Sequence, residues 1–228
     1  MTPKGASSPT GPSPEPPRLP QKATCTVTET DTDATTDFDI LIGHDPETWV
    51  ALPTSWPHDG HRAPRSWIKA TMRTVAERSE VSTRASRSWL TEVLSALARW
   101  SPEDERRYLY LPDIATPPSL LRVQYGFVEG DRDVALRAMV FDSDVAAVEP
   151  PVVEQVEASG LGQGLRGVRY AAVDGDGDAG LHATLVYAFR AEPYDLRVTC
   201  QVGGPEGVLG MIDEVDVFVD DISVVPAA

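Results

Sequence analysis

The apolar residues of this chain recur at two different spacings, and the change between them predicts the order of elements. Apolar and polar positions alternate in FDILI, and the short segment WVALP follows, so two strands are expected first. From residue 64 to residue 100 the apolar residues recur three or four positions apart, within the stretches from Trp67 to Val75 and from Leu90 to Leu94. This spacing predicts two amphipathic helices, the first beginning at Pro64.

The second half of the chain returns mainly to a spacing of two. The segments that predict strands are RRYLYLP, SLLRVQYGFVEG, DVALRAMVFDSD, LRGVRYAAV, LHATLVYAFRA and DLRVTCQV. We expect the second and third of them to form a hairpin around EGDRD. PPVVEQVEASG predicts a short helix with Pro151 near its start and Gly160 at its end. Residues 205–225 predict a last amphipathic helix, with a strand as the alternative for its final part.

These elements predict an α+β fold with a single domain over residues 37–228. Neighbouring strands joined by short turns favour an antiparallel β-sheet, and amphipathic helices need its faces to bury their apolar sides, which gives an α/β/α sandwich. Residues 1–36 are rich in proline, threonine and aspartate and almost free of large apolar side chains. We therefore predict a disordered N-terminal tail.

Three stretches of this sequence resemble the PsbP-like family. They are the entry WVALPTSWP, the segments RVQYGFVEG and VALRAMVF taken as paired strands, and the closing DLRVTCQVGGPEGVLGMIDEVDVFVDDI. The resemblance covers about residues 37–225 and implies a PsbP-like sandwich. It also implies a binding or assembly role without chemistry, since most members of that fold act in this way. No functional residue of the family can be matched to a position in this chain.

Charge narrows the range of partners. The formal net charge is −15 and the sequence pI is about 4.6, which argues against broad contacts with nucleic acid or with an anionic membrane. Arginine is far commoner than lysine, and alanine, aspartate, valine and glycine are plentiful, which indicates a bacterial origin. The chain shows no signal-peptide pattern and no long apolar run, so a cytoplasmic location is expected.

Positive charge is nevertheless concentrated in one part of the chain. Residues 62–107 contain ten basic and six acidic side chains. Such a region can guide a protein with an acidic surface into contact. The candidate partner-binding residues are Arg65, Lys69, Arg73, Arg84 and Arg87. Alternatively, these cations pair with acidic groups of this same protein.

Two loops carry residues of the types that bind metal ions. Asp174, Asp176 and Asp178 in DGDGDAG occupy alternate positions, as calcium ligands do, although glycine and aspartate are also common in a hairpin turn. His58 and His61 flank Asp59 in PHDGH and offer zinc ligands without an evident fourth group. We predict an ordinary turn in both loops, and weak calcium or zinc binding is the alternative.

Catalytic patterns are missing from the sequence. It contains no nucleophile elbow, cysteine–histidine motif or phosphate-binding glycine loop, and Cys25 and Cys200 form no ligand spacing. We therefore expect a non-catalytic interaction or accessory protein without a cofactor, of open oligomeric state. The alternative is a metal-dependent hydrolase built on the His58/His61 loop or the Asp174–Asp178 hairpin.

Overall fold

The computed structural model describes residues 37–100, 102, 105–141, 147–174 and 179–227, so the predicted tail lies outside the described residues. The described residues belong to the unit Thr36–Ala228 and contain four α-helices. The helices are α1 (Pro64–Arg78), α2 (Arg84–Leu97), α3 (Arg132–Phe141) and α4 (Val208–Asp220). The strands are β1 (Phe38–Ile42), β2 (Trp49–Ala51), β3 (Glu105–Tyr110), β4 (Ser119–Phe127), β5 (Val152–Ala158), β6 (Gly162–Asp174), β7 (Ala179–Ala191), β8 (Tyr194–Val202) and β9 (Ile222–Pro226).

Seven strands form one antiparallel sheet in the order β2-β3-β4-β8-β7-β6-β5. β1 and β9 pair separately, also antiparallel. The chain runs through β5, β6, β7 and β8 as consecutive neighbours, and β8 then pairs with β4 from the first half of the domain. The predicted α+β class with an antiparallel sheet is therefore confirmed.

Helices cover both faces of this sheet. On one face α4 and the β1–β9 pair bury alternate residues of the strands, among them Leu121, Leu185 and Val198, against Val215 and Phe218. On the opposite face α1 and α2 pack over Leu109 and Leu120 at the β3–β4 end. α3 packs over the β6–β7 end, where Leu136 and Val140 contact Val186 and Ala188. The three layers form the predicted sandwich.

The first two helices begin where their sequence predicts. Pro64 is the first residue of α1, a position where the missing backbone N–H costs no helical hydrogen bond. Thr83 precedes α2, and its Oγ1 accepts a hydrogen bond from the Ser86 backbone N–H at 3.1 Å. The Thr83 backbone N–H donates in return to the Ser86 Oγ at 3.0 Å. This reciprocal pair satisfies two of the donors at the start of the helix.

The segment DVALRAMVF is helical, so the strand and hairpin predicted around EGDRD are wrong. The Asp131 carboxylate accepts hydrogen bonds from the backbone N–H groups of Asp133 and Val134, which starts α3. Leu136 and Val140 lie one turn apart and are buried. The alternation of apolar residues that predicted a strand includes Val134, which is 68% exposed and packs into none of the apolar clusters. The alternation therefore does not mark a buried face.

The short helix predicted in PPVVEQVEASG is also wrong, because Val152–Ala158 form strand β5. This strand pairs with β6 along its length, from Val152 opposite Val168 to Ala158 opposite Gly162. Gly160 lies in the turn between the two strands. A Cβ at Gly160 would lie 2.2 Å from the Ile222 carbonyl oxygen, so the glycine permits β9 to approach closely.

The last predicted helix ends earlier than its sequence pattern indicates. α4 stops at Asp220, and Ile222–Pro226 form β9 opposite β1. The alternative strand over Val215, Val217 and Val219 is wrong as well, because these residues lie within α4. Ile222 is buried in the same core as the apolar side of α4. Its apolar character therefore continues the helical spacing of that side, although the helix has already ended.

Candidate functional site

The basic face of the domain is the outer surface of α1 and α2 that carries Arg65, Lys69, Arg73, Arg84 and Arg87. All five side chains belong to exposed residues. Lys69, Arg73 and Arg87 line one shallow depression of about 790 Å³. Arg65 and Arg84 lie near the N-terminal ends of α1 and α2, outside its lining. The structure thus brings three of the five predicted residues together.

The charges of the basic face are only weakly neutralised within the described part of the chain. Arg73 Nε lies 3.9 Å from Glu77 Oε1, and both side chains are about 70% exposed, so this pair contributes little. Arg87 Nε donates to the Ser82 hydroxyl at 2.7 Å, which fixes the side chain, and within the described residues its guanidinium forms no ion pair. The floor of the depression is apolar, since it includes Ala70, Met72 and Ala76.

His58 and His61 lie at the two ends of a tight turn. Their backbone groups exchange two hydrogen bonds of 2.9 and 2.8 Å around Asp59 and Gly60, which have φ values of 45° and 74°. These values suit an Asp-Gly turn. The His58 ring lies 6.3 Å from the rings of both Trp56 and Trp67. Among the described residues, no three histidine, cysteine, aspartate or glutamate side chains converge as metal ligands.

The aspartate-rich loop joins two strands. Asp174 pairs with Ala179 as the last pair of the β6–β7 hairpin, so the segment is a hairpin connection. Asp176 and Asp178 lie outside the described residues, and so does the side chain of Asp174. The calcium alternative therefore stays a prediction.

A second candidate site is the arginine trough, a strip of the sheet on the face that the helices cover in two places. It lies between the cover formed by α1 and α2 and the cover formed by α3. It is a hollow of about 320 Å³. Its wall and floor come from β4, β8, β7 and β6, the central and adjoining strands of the sheet. The polar side chains that define it are Arg122, Gln124, Arg169, Arg197, Thr199 and Gln201.

The position of the arginine trough follows from strand register. Leu120 on β4 lies opposite Gln201 on β8. Gln201 lies opposite Thr184 on β7, and Thr184 lies opposite Arg169 on β6. Two residues along, Arg122 lies opposite Thr199, and Thr199 lies opposite Val186. These residues alternate with the buried core residues of the other face, so they all point to the same side of the sheet.

Arg122 is fixed at one end of the arginine trough. Its Nη2 and Nε lie 2.6 and 2.7 Å from Glu105 Oε2, and the Glu105 residue is 3% exposed. The Arg122 guanidinium also lies 5.8 Å from the ring centre of Trp100, while that of Arg107 lies 4.9 Å from the same ring. Burial lowers the pKa of Arg107, which lies directly opposite Arg122 on the neighbouring strand.

Sequence reasoning missed the arginine trough although its signal is present. The segments RVQ and RVTCQ place polar residues at every second position of two strands. That pattern indicates one polar strand face. β4 and β8 are neighbours in space but seventy-five residues separate Arg122 from Arg197, so the shared face becomes visible only when the strand order is known.

Comparisons with known proteins leave the family of this chain open. No family model matches the chain, and no curated protein matches it. Among solved structures it is similar to LpqN, which is involved in cell envelope biogenesis in Mycobacterium tuberculosis, at 11% identity and a TM-score of 0.42. The match covers 86% of this chain and 88% of LpqN. A TM-score of this size does not establish a shared fold, so the PsbP-like resemblance stays a prediction.

Proposed function

We propose that this protein is a non-catalytic accessory protein whose basic face binds an acidic segment of a protein partner. The observation that carries the proposal is the depression on that face, where three cations and one carboxylate share the lining with apolar side chains: Lys69, Arg73, Arg87 and Glu77 with Ala70, Met72 and Ala76. Charge complementarity defines the occupant, because cations around an apolar floor fit carboxylates that flank apolar side chains.

The contrast with the rest of the protein strengthens this proposal. The whole chain has a formal net charge of −15, yet the residues from Pro64 to Trp100 contain seven basic and three acidic side chains. An acidic partner is repelled by most of the surface and attracted to this part of it, which orients the encounter. The proposal includes no cofactor and no nucleic-acid or membrane partner.

Location is a separate part of the proposal. No helix within the described residues is long and apolar enough to span a membrane. We keep the cytoplasmic location that the sequence predicts, and fractionation of the source bacterium with an antibody against the protein tests it. Recovery in the envelope fraction would contradict that part alone.

The test uses a feature of the chain itself: Lys69 is the single lysine after residue 36. A carbodiimide couples an amine directly to a carboxylate that it contacts. We expect the full chain, incubated in native lysate, to give cross-linked peptides between Lys69 and aspartate or glutamate of one partner. Lys69→Arg keeps the charge, so it should retain the partner and lose the cross-link.

Charge reversal supplies the second arm. Lys69→Glu/Arg73→Glu should reduce capture of the same partner at least about tenfold, because two attractions become repulsions. Arg106→Glu/Arg137→Glu changes the net charge equally at two exposed residues elsewhere and should leave capture unchanged. Cross-links from Lys69 only to carboxylates of this chain, or equal loss with both double variants, would overturn the proposal.

A further inference from the structure

We propose that the arginine trough is a binding site for a small anion with two or more negatively charged oxygen groups, such as phosphates or carboxylates. The proposal is independent of the protein-binding function, since the arginine trough lies on the sheet between the helical covers and not on the outer surface of α1 and α2.

The chemistry of the lining favours an anion. Arg122, Arg169 and Arg197 carry guanidinium groups, and each guanidinium has five N–H donors and no acceptor. Gln124 and Gln201 add amide donors to the same hollow. Because one guanidinium can donate two parallel hydrogen bonds to two oxygens of a carboxylate or phosphate, a ligand rich in charged oxygens matches this lining better than a neutral one.

The arginines are held on rigid elements before any ligand arrives. All four strands, β4, β8, β7 and β6, are interior strands with a hydrogen-bonded neighbour on each side. Arg122 is fixed by Glu105, and Arg169 and Arg197 each have a contact of their own. Arg169 is 9% exposed, so its charge acts in a medium with less water screening. A site of this kind loses little side-chain entropy when it binds.

The size of the arginine trough limits the ligand. About 320 Å³ is at the lower end of the range for small-molecule sites. Thr184 lies between Arg169 and Gln201 of the neighbouring strands, Thr199 lies beside Arg122, and both hydroxyl groups can donate or accept. The ligand class is therefore a compact anion, smaller than a nucleotide, that spans two or three guanidinium groups.

The experiment is an NMR titration of the full chain with pyrophosphate, citrate and, as a neutral control, glycerol. Ionic strength is held constant with sodium chloride so that general screening does not change. We expect saturable shifts in the backbone amide signals of Thr184, Thr199 and Gln201 with at least one anion. A response to pyrophosphate alone indicates a phosphate site, and a response to citrate alone indicates a carboxylate site.

Variants locate the binding. Arg197→Met should weaken the saturable shifts at least about tenfold, because it removes one guanidinium from the contact. Gln201→Leu tests the same site at an exposed residue and should weaken binding if Arg197→Met fails to fold. Arg137→Met removes an exposed arginine from α3 and should leave the titration unchanged.

Two results would overturn the inference. One is the absence of saturation up to about 10 mM anion, which places any dissociation constant above about 10 mM. The other is a set of shifts centred on Lys69, Arg73 and Arg87, which would assign the anion to the basic face. Either result leaves the protein-binding proposal standing, since cross-linking from Lys69 tests that separately.

Discussion

The two faces of the seven-stranded sheet are built from different kinds of residue. Under α4 the strands present a mainly apolar surface, in which Leu185, Val198 and Cys200 are fully buried. On the opposite face two smaller apolar clusters, under α1–α2 and under α3, are separated by the arginine trough. The difference indicates that one face supplies most of the stability, while the other gives up part of its apolar area for polar groups.

Polar groups on the α4 face are placed differently. The Tyr187 hydroxyl donates to Asp216 Oδ1 at 2.6 Å, and Arg166 Nη1 donates to both oxygens of Asp216 at 2.7 and 2.9 Å. Arg166 also bonds Glu154 on β5. Burial and the hydrogen bond to Asp216 raise the pKa of Tyr187. This cluster is paired within itself and joins α4 to the sheet.

The largest expected effect comes from truncating the core under α4. Phe218 is 1% exposed, and its ring centre lies 4.9 Å from those of Trp49 and Tyr108. Phe218→Ala should lower the free energy of unfolding by about 3–5 kcal/mol in urea denaturation. Thr199→Val in the arginine trough should change it by less than about 1 kcal/mol. Equal losses would break the comparison between the two faces.

An intermediate effect is expected at Arg107, which connects the polar face to the helical cover. Its Nη2 donates to the Pro53 carbonyl at 3.0 Å and its Nη1 to the Leu97 carbonyl at 3.4 Å, and the residue is 1% exposed. Arg107→Met leaves these carbonyls without their donor and should cost about 2 kcal/mol. Arg107→Lys should fall between this variant and wild type. A stabilising Arg107→Met would show that desolvation of the charge dominates.

The smallest of the three effects is expected at Tyr187. Tyr187→Phe removes the hydrogen bond to Asp216 and should cost about 1 kcal/mol at neutral pH. Because the pKa of Tyr187 is raised in the folded protein, its contribution is fully present below the unfolded value near 10 and is lost as pH rises above it. Wild type should therefore lose stability more steeply than Tyr187→Phe above about pH 10. Parallel pH profiles would contradict the raised pKa.

The sequence allowed good predictions where local pattern and packing agree. α1 and α2 were predicted correctly because Trp67, Val75, Leu90 and Leu94 are both helically spaced and buried. α3 was missed because exposed apolar side chains such as Val134 concealed the pattern of Leu136 and Val140. The local signal of α3 is Asp131, a residue type favoured at the start of a helix.

Long-range pairing explains the remaining errors. β5 was predicted as a helix because its partner β6 determines its conformation, and local propensity does not. The basic face was predictable because its residues lie on two consecutive helices. The arginine trough was not, because Arg122, Arg169 and Arg197 come from three strands whose order in space differs from their order in the chain.

The division of roles between the two faces is tested most directly by one set of melting curves with and without the anion, pyrophosphate or citrate, that gives saturable shifts. Gln201→Leu should keep the wild-type melting temperature and lose the rise that a ligand bound to the native state produces. Phe218→Leu should melt lower and keep that rise. If Gln201→Leu keeps the rise, or if Phe218→Leu loses it while still folded, the separation of binding and stability between the two faces is wrong.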